Sequence, residues 1–519
     1  MTRVDQIAGP STAHSRLPTS VLPLVEATPS FTIDAANKSF KHQYANIYFI
    51  RLKLLREHVE REAERKWREV SGSPVLVPRV LEVVRGQLCF VVGTVYMEMP
   101  LKANVLEDVG RDHSIPAPPP RDKIYSADDH VTLEDESGRI QLVGEKIERE
   151  RLVTGVILGA LGYENANGDF QVVDVCYAGM ASQAAHPEHM DGMDVDDTPV
   201  VTDSSSKTVQ QEEYVAFVSG LDIGSPTPSD AQIQMLVEYL TGEAGGLDDQ
   251  VSASQISRLV ILGNSLSDAV NAQIAAEDSP KDKDKKGKRY GYDNASFSPH
   301  PTINLSGHLH DLARTLPIHL LPGASDPSGT ILPQQPLPRM MFGPAAAFSS
   351  FTCETNPTYI RLSPGKPQEQ ENIPPSAPSP AKKSDSWART ILATSGQPLD
   401  DMFKYVPSPP ATRLGLAEST LRWRHMAPTA PDTLWCHPFF TKDPFILSQT
   451  PDVYAIGCQP KFSTKLVKDD ERRCRIVLVP NFAETGVLVL VGMRRLDAKI
   501  VKFSVDEEDM DVGEMEADV

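Results

Sequence analysis

PIHLLPGASDPSG, residues 317–329, is the stretch that decides the fold. The apolar run Ile318–Leu321 stops at Pro322-Gly323, and the turn then presents Ala324, Ser325 and Asp326. A short apolar run closed by Pro-Gly reads as a buried strand ending in a tight turn. The preceding PTINLSGHLHDLARTL has helical apolar spacing, which makes the unit helix, strand, turn. EEYVAFVSGLDIGS and ISRLVILGNSLSD repeat the pattern of strand and Gly-bearing turn. Between them Ile233, Leu236, Val237 and Leu240 form one helical face, with Ser229 and Gln232 at capping-box spacing. Four further segments read as strands: WARTILATSGQPLDD, DVYAIGCQP, CRIVLVPNFA and GVLVLVGMRRLDAKIVKFSV. Strands ending in such turns and joined by helices predict a layered α/β sandwich over residues 212–505.

Outward from this unit the pattern changes. Residues 39–180 open with a helix in SFKHQYANIYFIRLKLLREHVEREAERKWREV, whose Tyr44, Tyr48, Leu52, Leu55 and Val59 share one side, with the charged residues opposite. Short β-rich runs follow, with turns at Ser137-Gly138 and Asn167-Gly168. About five strands in roughly 110 residues suit a small barrel of the OB-fold type. Such a barrel binds single strands or docks on protein. No stripe of aromatic and basic residues interleaves here, so docking is the favoured reading.

The rest is expected to be unstructured: an arm over 1–38, an acidic linker over 181–211 that carries His186 and His189, inserts at 276–298 and 364–386, and an acidic tail over 506–519. Lys285, Lys286, Lys288 and Arg289 in the first insert read as a solvated loop or a nuclear-import patch. With 519 residues and a formal charge of −19, nonspecific nucleic-acid binding by the whole surface is excluded, while a local basic groove is not. The six cysteines stand apart with no C-x-x-C pair, which argues against a structural zinc or iron–sulfur site and fits a reducing compartment. The start carries no apolar signal-like run and no stretch of about 18 apolar residues occurs, so a soluble intracellular chain without membrane contact is expected.

The strand-end turns resemble those of binuclear metallophosphoesterases, where two divalent cations lie close together and need anionic or imidazole ligands. Those ligands come in the order D-x-H, G-D, G-N-H-D/E, a lone His, and G-H-x-H. Here Gly220 and Asp222 take the first Asp and His positions, and Asn264 takes the bridging Asp. Ala324 and Ser325 replace Asn and His, Ser395 replaces the lone His, and Cys458 and Pro460 fall where G-H-x-H belongs. Glycines that set the backbone persist at 224, 263, 323, 396 and 457. No metal and no cofactor is expected. A literal G-H-x-H at 307–310 lies in the helical segment, where residues two apart point about 200° from each other and cannot chelate one ion. Cys458 has no base beside it, and His437 reads as a packing residue.

Several longer segments are specific beyond any generic fold need: LPGASDPSGTILPQQPLPRMMF, TNPTYIRL, TSGQPLDDMFKY, LRWRHMAPTAPDTLWCHPFFTKDPFIL and PDVYAIGCQPKFSTKL. With them the chain resembles the small, or B, subunits of the eukaryotic replicative DNA polymerases over roughly residues 35–505, and is most similar to the delta type. The resemblance implies an OB-fold barrel joined to a calcineurin-like phosphoesterase sandwich with a vestigial active site. It further implies a nuclear, non-catalytic scaffold in DNA replication and repair. Such a subunit grips the cysteine-rich C-terminal domain of the DNA polymerase delta catalytic subunit and a third polymerase delta subunit. The sliding clamp is reached indirectly, and DNA is touched weakly or within the complex. Trp423, Trp435, Phe439 and Phe440 are the candidate contact surface. Two alternatives stay open. One is a metal-dependent phosphodiesterase or nuclease using Asp222, Asp326, His308 and His310. The other is the equivalent small subunit of polymerase alpha or epsilon, against which the short N-terminal arm speaks.

Overall fold

A computed structural model describes residues 16–34, 45–72, 74–102, 121–184, 212–225, 230–268, 300–365 and 387–505. The expectations for the linker from 185, both inserts in the main, the tail, Tyr44 and Ser229 lie outside these residues.

The first described element contradicts an expectation. Thr19–Leu22 (β1), placed by sequence in a loose arm, pairs antiparallel with Thr358–Pro364 (β12). Its four residues lie between Pro18 and Pro23, which reads as a loop, and at the sheet edge Ser20 and Val21 face solvent. Phe31, further along, stacks on Tyr359 at 5.6 Å and is buried. The same pairing sets Pro364 opposite Thr19, so the second insert begins after the sheet and not within it.

Asn46–Trp67 (α1) precedes the barrel. Its buried side is Ile47, Arg51, Leu52, Leu55, Val59, Ala63 and Trp67. Leu52, Leu55 and Val59 are buried as helical spacing selects, Tyr48 is only half-buried, and Arg51, assigned to the solvent side, is fully buried. Val75–Val77 (β2), Cys89–Glu98 (β3), His130–Glu134 (β4), Arg139–Val143 (β5), Glu145–Arg149 (α2), Ile157–Glu164 (β6) and Phe170–Cys176 (β7) follow. The order β3-β4-β5-β7-β6 closes through β3–β6 pairing, and β2 adds a short parallel strand to β3. The closed five-stranded barrel carries the Asn167-Gly168 hairpin between β6 and β7, with Gly168 at φ +93°.

The remaining elements are Tyr214–Val218 (β8), Asp230–Thr241 (α3), Leu247–Ser254 (α4), Ile256–Leu262 (β9), His300–Ala313 (α5), Ile318–Leu321 (β10) and Phe351–Cys353 (β11). After β12 come Arg389–Thr394 (β13), Gln397–Tyr405 (α6), Arg413–Trp423 (α7), Val453–Gln459 (β14), Ser463–Asp469 (β15), Arg472–Pro480 (β16), Phe482–Thr485 (α8), Val487–Gly492 (β17) and Ala498–Lys502 (β18). They build two six-stranded sheets, β1-β12-β13-β14-β16-β15 and β11-β10-β9-β8-β17-β18.

Alternation along single strands shows how the layers stack. Val487, Val489 and Val491 of β17 meet Val453, Ala455, Val477 and Val479 between the sheets. Leu488 and Leu490 turn the other way, onto the helices α3 and α5. The outer face of the first sheet, with Tyr454, Ile456, Ile476 and Leu478, shares one core with α6, α7 and the barrel interior. Burial on both faces explains why β8 and β17 read as unbroken apolar runs and why β9 departs only at Ser257 and Arg258, which are buried and hydrogen-bonded. One segment departs from its strand reading: after Ser395, Gly396 at φ +101° ends β13, and Pro398 opens α6, whose Leu399, Met402 and Tyr405 are buried. Residues 181–184, assigned to the linker, are also held, since Thr450 donates to Ala181 O at 2.6 Å and Gln183 bonds Arg473 O at 2.8 Å.

Candidate functional site

The turns after β8, β9, β10, β13 and β14 converge at one end of the two sheets. Gly220 N donates to Gly263 O at 3.0 Å and Asp222 N to Asn264 O at 3.1 Å. Ser325 N donates to Asn264 Oδ1 at 3.2 Å, and Cys458 N donates to Ser219 Oγ at 2.8 Å. Of the positions selected by sequence, Gly220, Asp222, Asn264, Ser325, Ser395 and Cys458 are brought together. Ala324 and Pro460 are exposed at its edge.

The residues present do not fit a binuclear metal centre. Gly220 sits at φ +61°, and a Cβ there would lie 2.4 Å from Asn481 Oδ1, so an Asp at this point has no room. Gly323 is equally confined: its Cβ would lie 2.2 Å from Asn264 Oδ1. Ser325 Oγ donates to Leu266 O at 2.7 Å, which ties two turns together. Asp326 is buried and accepts from Ser265 N and Leu266 N at 2.9 Å each and from Gly323 N at 2.7 Å. Burial raises its pKa to about 6 against these hydrogen bonds. Its carboxylate lone pairs serve the backbone. Asp222 is half-buried, and burial raises its pKa too. The Cys458 thiol is pushed up by burial and by Asp326 and Asp400, which keeps it protonated and poorly nucleophilic. Among the described residues, no three His, Cys, Asp or Glu side chains gather as a group that could hold a metal ion. His308 and His310 lie within α5, away from these turns in sequence and with rings two residues apart; His310 packs on Phe348 at 5.3 Å.

A neutral network occupies the centre instead. The two N–H of Asn356 Nδ2 are shared among Ser395 Oγ at 2.6 Å, Gln334 Oε1 at 2.7 Å and Gln397 Oε1 at 2.8 Å. Its Oδ1 accepts from Ser395 N at 3.0 Å and Thr394 Oγ1 at 3.2 Å. Gln334 Nε2 reaches Gly323 O and Gly329 O at 3.0 Å each, and Gln397 Nε2 reaches Gln334 Oε1 at 2.9 Å. Gln459 Nε2 donates to Gly457 O at 3.0 Å. Amides supply donors and acceptors without charge, which is what buried turn carbonyls require. Sequence reasoning missed Asn356, Gln334 and Gln397. A signal existed, because each lies in a segment singled out as specific: TNP, PQQPL and TSGQPL.

The second Gln of PQQPL has a separate task. Gln335 accepts from Ile33 N at 3.0 Å and donates to Phe31 O at 3.1 Å, fastening the N-terminal segment. APTAPDTL also gains a reason: the Pro428 and Ala430 carbonyls accept from Arg51 at 2.6 and 2.8 Å. Of the four aromatics expected at a contact surface, Trp423 and Phe439 are core residues, whereas Trp435 (66%) and Phe440 (57%) are exposed.

Comparison with known proteins assigns both halves. The family of the DNA polymerase delta subunit OB-fold domain matches residues 43–175, and that of the DNA polymerase alpha/epsilon B subunits matches 215–365 and 383–464. The DNA polymerase delta small subunit of Oryza sativa is 34% identical over 89% of this chain and 93% of its own length. The chain belongs to the DNA polymerase delta small-subunit family. The small subunit of Saccharomyces cerevisiae is 31% identical over 92% of both chains, and DNA polymerase delta subunit 2 of Drosophila melanogaster is 28% identical over 90% of this one. The family is that of a polymerase subunit distinct from the catalytic one, and it supports a role as an accessory subunit in DNA replication.

Proposed function

We propose that this chain is a non-catalytic scaffold of the polymerase delta complex, built on a phosphoesterase framework whose metal site has been replaced by structural hydrogen bonds. The observation that carries it is the Asn356–Gln334–Gln397–Ser395 network at the junction of the strand-end turns. Uncharged amides there offer neither the charge nor the imidazoles that two divalent cations need. In its complex the chain holds the cysteine-rich C-terminal domain of the catalytic subunit and a third subunit, in the nucleus, for replication and repair synthesis. The sliding clamp is reached through that third subunit, and DNA is touched weakly or within the complex. Trp435 and Phe440 are the side chains offered to a partner, as exposed aromatics.

The test against an enzyme is direct. Purified chain is assayed for manganese-dependent hydrolysis of bis-p-nitrophenyl phosphate, with elemental analysis of the same sample. Neither turnover nor stoichiometric metal is the expected result. Hydrolysis abolished by Asp326→Ala, with bound metal, would overturn the proposal.

A further inference from the structure

We propose that the cleft between the barrel and the outer face of the first sheet is a docking site for an acidic, extended segment of a partner protein. The cleft has a volume of about 930 Å³ and is walled by α1, α2, β7, α7 and the β15–β16 hairpin. The whole chain carries 70 Asp and Glu against 51 Lys and Arg. The lining reverses that balance, with eight Lys and Arg against four carboxylates, while Asp174, Glu145 and Glu418 just outside it pair with Lys66, Lys146, Arg149 and Arg422.

One lining cation, Arg472, is held in place, with Arg424 behind the lining beside it. Arg424 Nη2 and Arg472 Nη1 donate to the same Met180 carbonyl at 3.0 and 2.9 Å, and Arg424 Nε donates to Gly179 O at 2.8 Å. Two guanidiniums are thus set side by side by backbone oxygens, and Asp469, 3.4 Å from Arg472, balances one of them. Burial and the like charge of Arg472 lower the pKa of Arg424. At the rim, Lys146 meets Glu150 and Asp174 only at 3.4 and 3.6 Å. Arg151 turns to the backbone carbonyls of Glu148 and Arg149, and Lys468 is exposed. Among the described residues Arg151 and Lys468 form no ion pair, which leaves their charge for an incoming anion.

The choice of anion follows from the walls. Single-stranded nucleic acid is held by bases stacked on aromatic faces. The two wall aromatics, Tyr177 and Trp423, pack on each other at 6.4 Å, with Trp423 buried. A continuous row of phosphates would also meet the carboxylates of Glu62, Glu150, Asp469 and Asp470 in the lining. A peptide alternating Asp or Glu with neutral residues pairs with the cations and sets its N–H groups toward those carboxylates. The volume is that of a large ligand pocket, enough for a short extended segment and too small for a duplex.

The experiment is fluorescence anisotropy on the full chain with a labelled Glu-Ser repeat peptide of about twelve residues. Labelled oligo-dT of similar charge is the competing probe. Binding to the peptide that weakens with salt, and weakens about tenfold or more in Lys146→Glu/Arg151→Glu/Lys468→Glu, is the expected result. The neutral set Lys146→Gln/Arg151→Gln/Lys468→Gln, expected to fall between, guards against a folding defect in the reversal variant. Peptide binding unchanged in both variants, or no peptide binding at all, would overturn the proposal. So would oligo-dT binding more tightly than the peptide through the same residues.

Discussion

Arg51 Nε and Asp443 Oδ2 meet at 2.8 Å with both side chains at zero exposure, 392 residues apart in the sequence. One belongs to the helix in front of the barrel, the other to the loop that follows α7. His425 Nε2 joins the same carboxylate oxygen at 2.8 Å. The Gly155, Pro428 and Ala430 carbonyls take up the rest of the guanidinium. The barrel and the sandwich are therefore locked by a charge that is fully hydrogen-bonded, within a core they already share.

Removing the cation alone leaves a buried carboxylate without compensation, which typically costs about 3–5 kcal/mol. Arg51→Met is expected to lower the urea midpoint by the equivalent of that loss, because Met fills the stem but not the fork. A loss under about 1 kcal/mol would show that the pair is solvated in solution.

Acid should weaken the same lock. Burial and Arg51 push the His425 pKa down to about 4, whereas an open-chain His titrates near 6.5. Between those values the unfolded chain binds more protons, so stability rises with pH across that window, by up to about 3 kcal/mol. Burial would raise the Asp443 carboxyl, but His425 and Arg51 hold it well below the usual carboxylate range. Its contribution is present above the unfolded pKa and is lost as pH falls through the folded one, which extends the acid lability downward. Asp326, raised to about 6, acts in the opposite sense between roughly 4 and 6. The informative quantity is therefore the difference between the native chain and His425→Asn, measured by urea unfolding at several pH values. A flatter profile in the variant is expected.

Legibility divides along physical lines. β8, β9, β10 and β17 are plain in the sequence because strands buried on both faces are mainly apolar, with Ser257, Arg258 and His319 the buried polar exceptions. The barrel is plain through its turns, since Asn-Gly and Ser-Gly mark reversals without reference to partners. β1 is not, because its pairing partner lies more than 330 residues away and its own composition is that of a loop. Arg51 is misplaced by periodicity, since a charged residue on an amphipathic helix belongs outside unless a distant segment supplies its partners. The strand-end turns show themselves by the residues they lack. What replaces those residues does not, because a buried Asn or Gln looks the same in sequence as a solvated one.

The amide network should behave as a unit. Asn356→Ala takes one partner each from Gln334 and Gln397 and the acceptor of the Ser395 N–H, and a loss of about 1–3 kcal/mol is expected from the buried N–H left unpaired. A double-mutant cycle with Gln334→Ala, by thermal or urea unfolding, should show that the two losses do not add. Additive losses would mean independent contacts.

Restoring ligand types should not restore a site. Gly220→Asp meets Asn481 and a left-handed backbone, and a destabilisation of about 1–3 kcal/mol is expected. With Ser325→His added, calorimetry against manganese should still register no binding. Micromolar binding would show that the framework is one or two residues from a working centre.

The central claim is that this framework is kept for what it assembles. Tagged chain, co-expressed with the polymerase delta catalytic subunit and passed over a size-exclusion column, tests it most directly. Trp435→Ala/Phe440→Ala, which truncates two exposed side chains, serves as the interface variant. The native chain is expected to co-elute with the catalytic subunit in one early peak, and the variant to bind more weakly while unfolding at the same temperature. Elution of the native chain as a separate monomer, with the catalytic subunit present and folded, would contradict the claim.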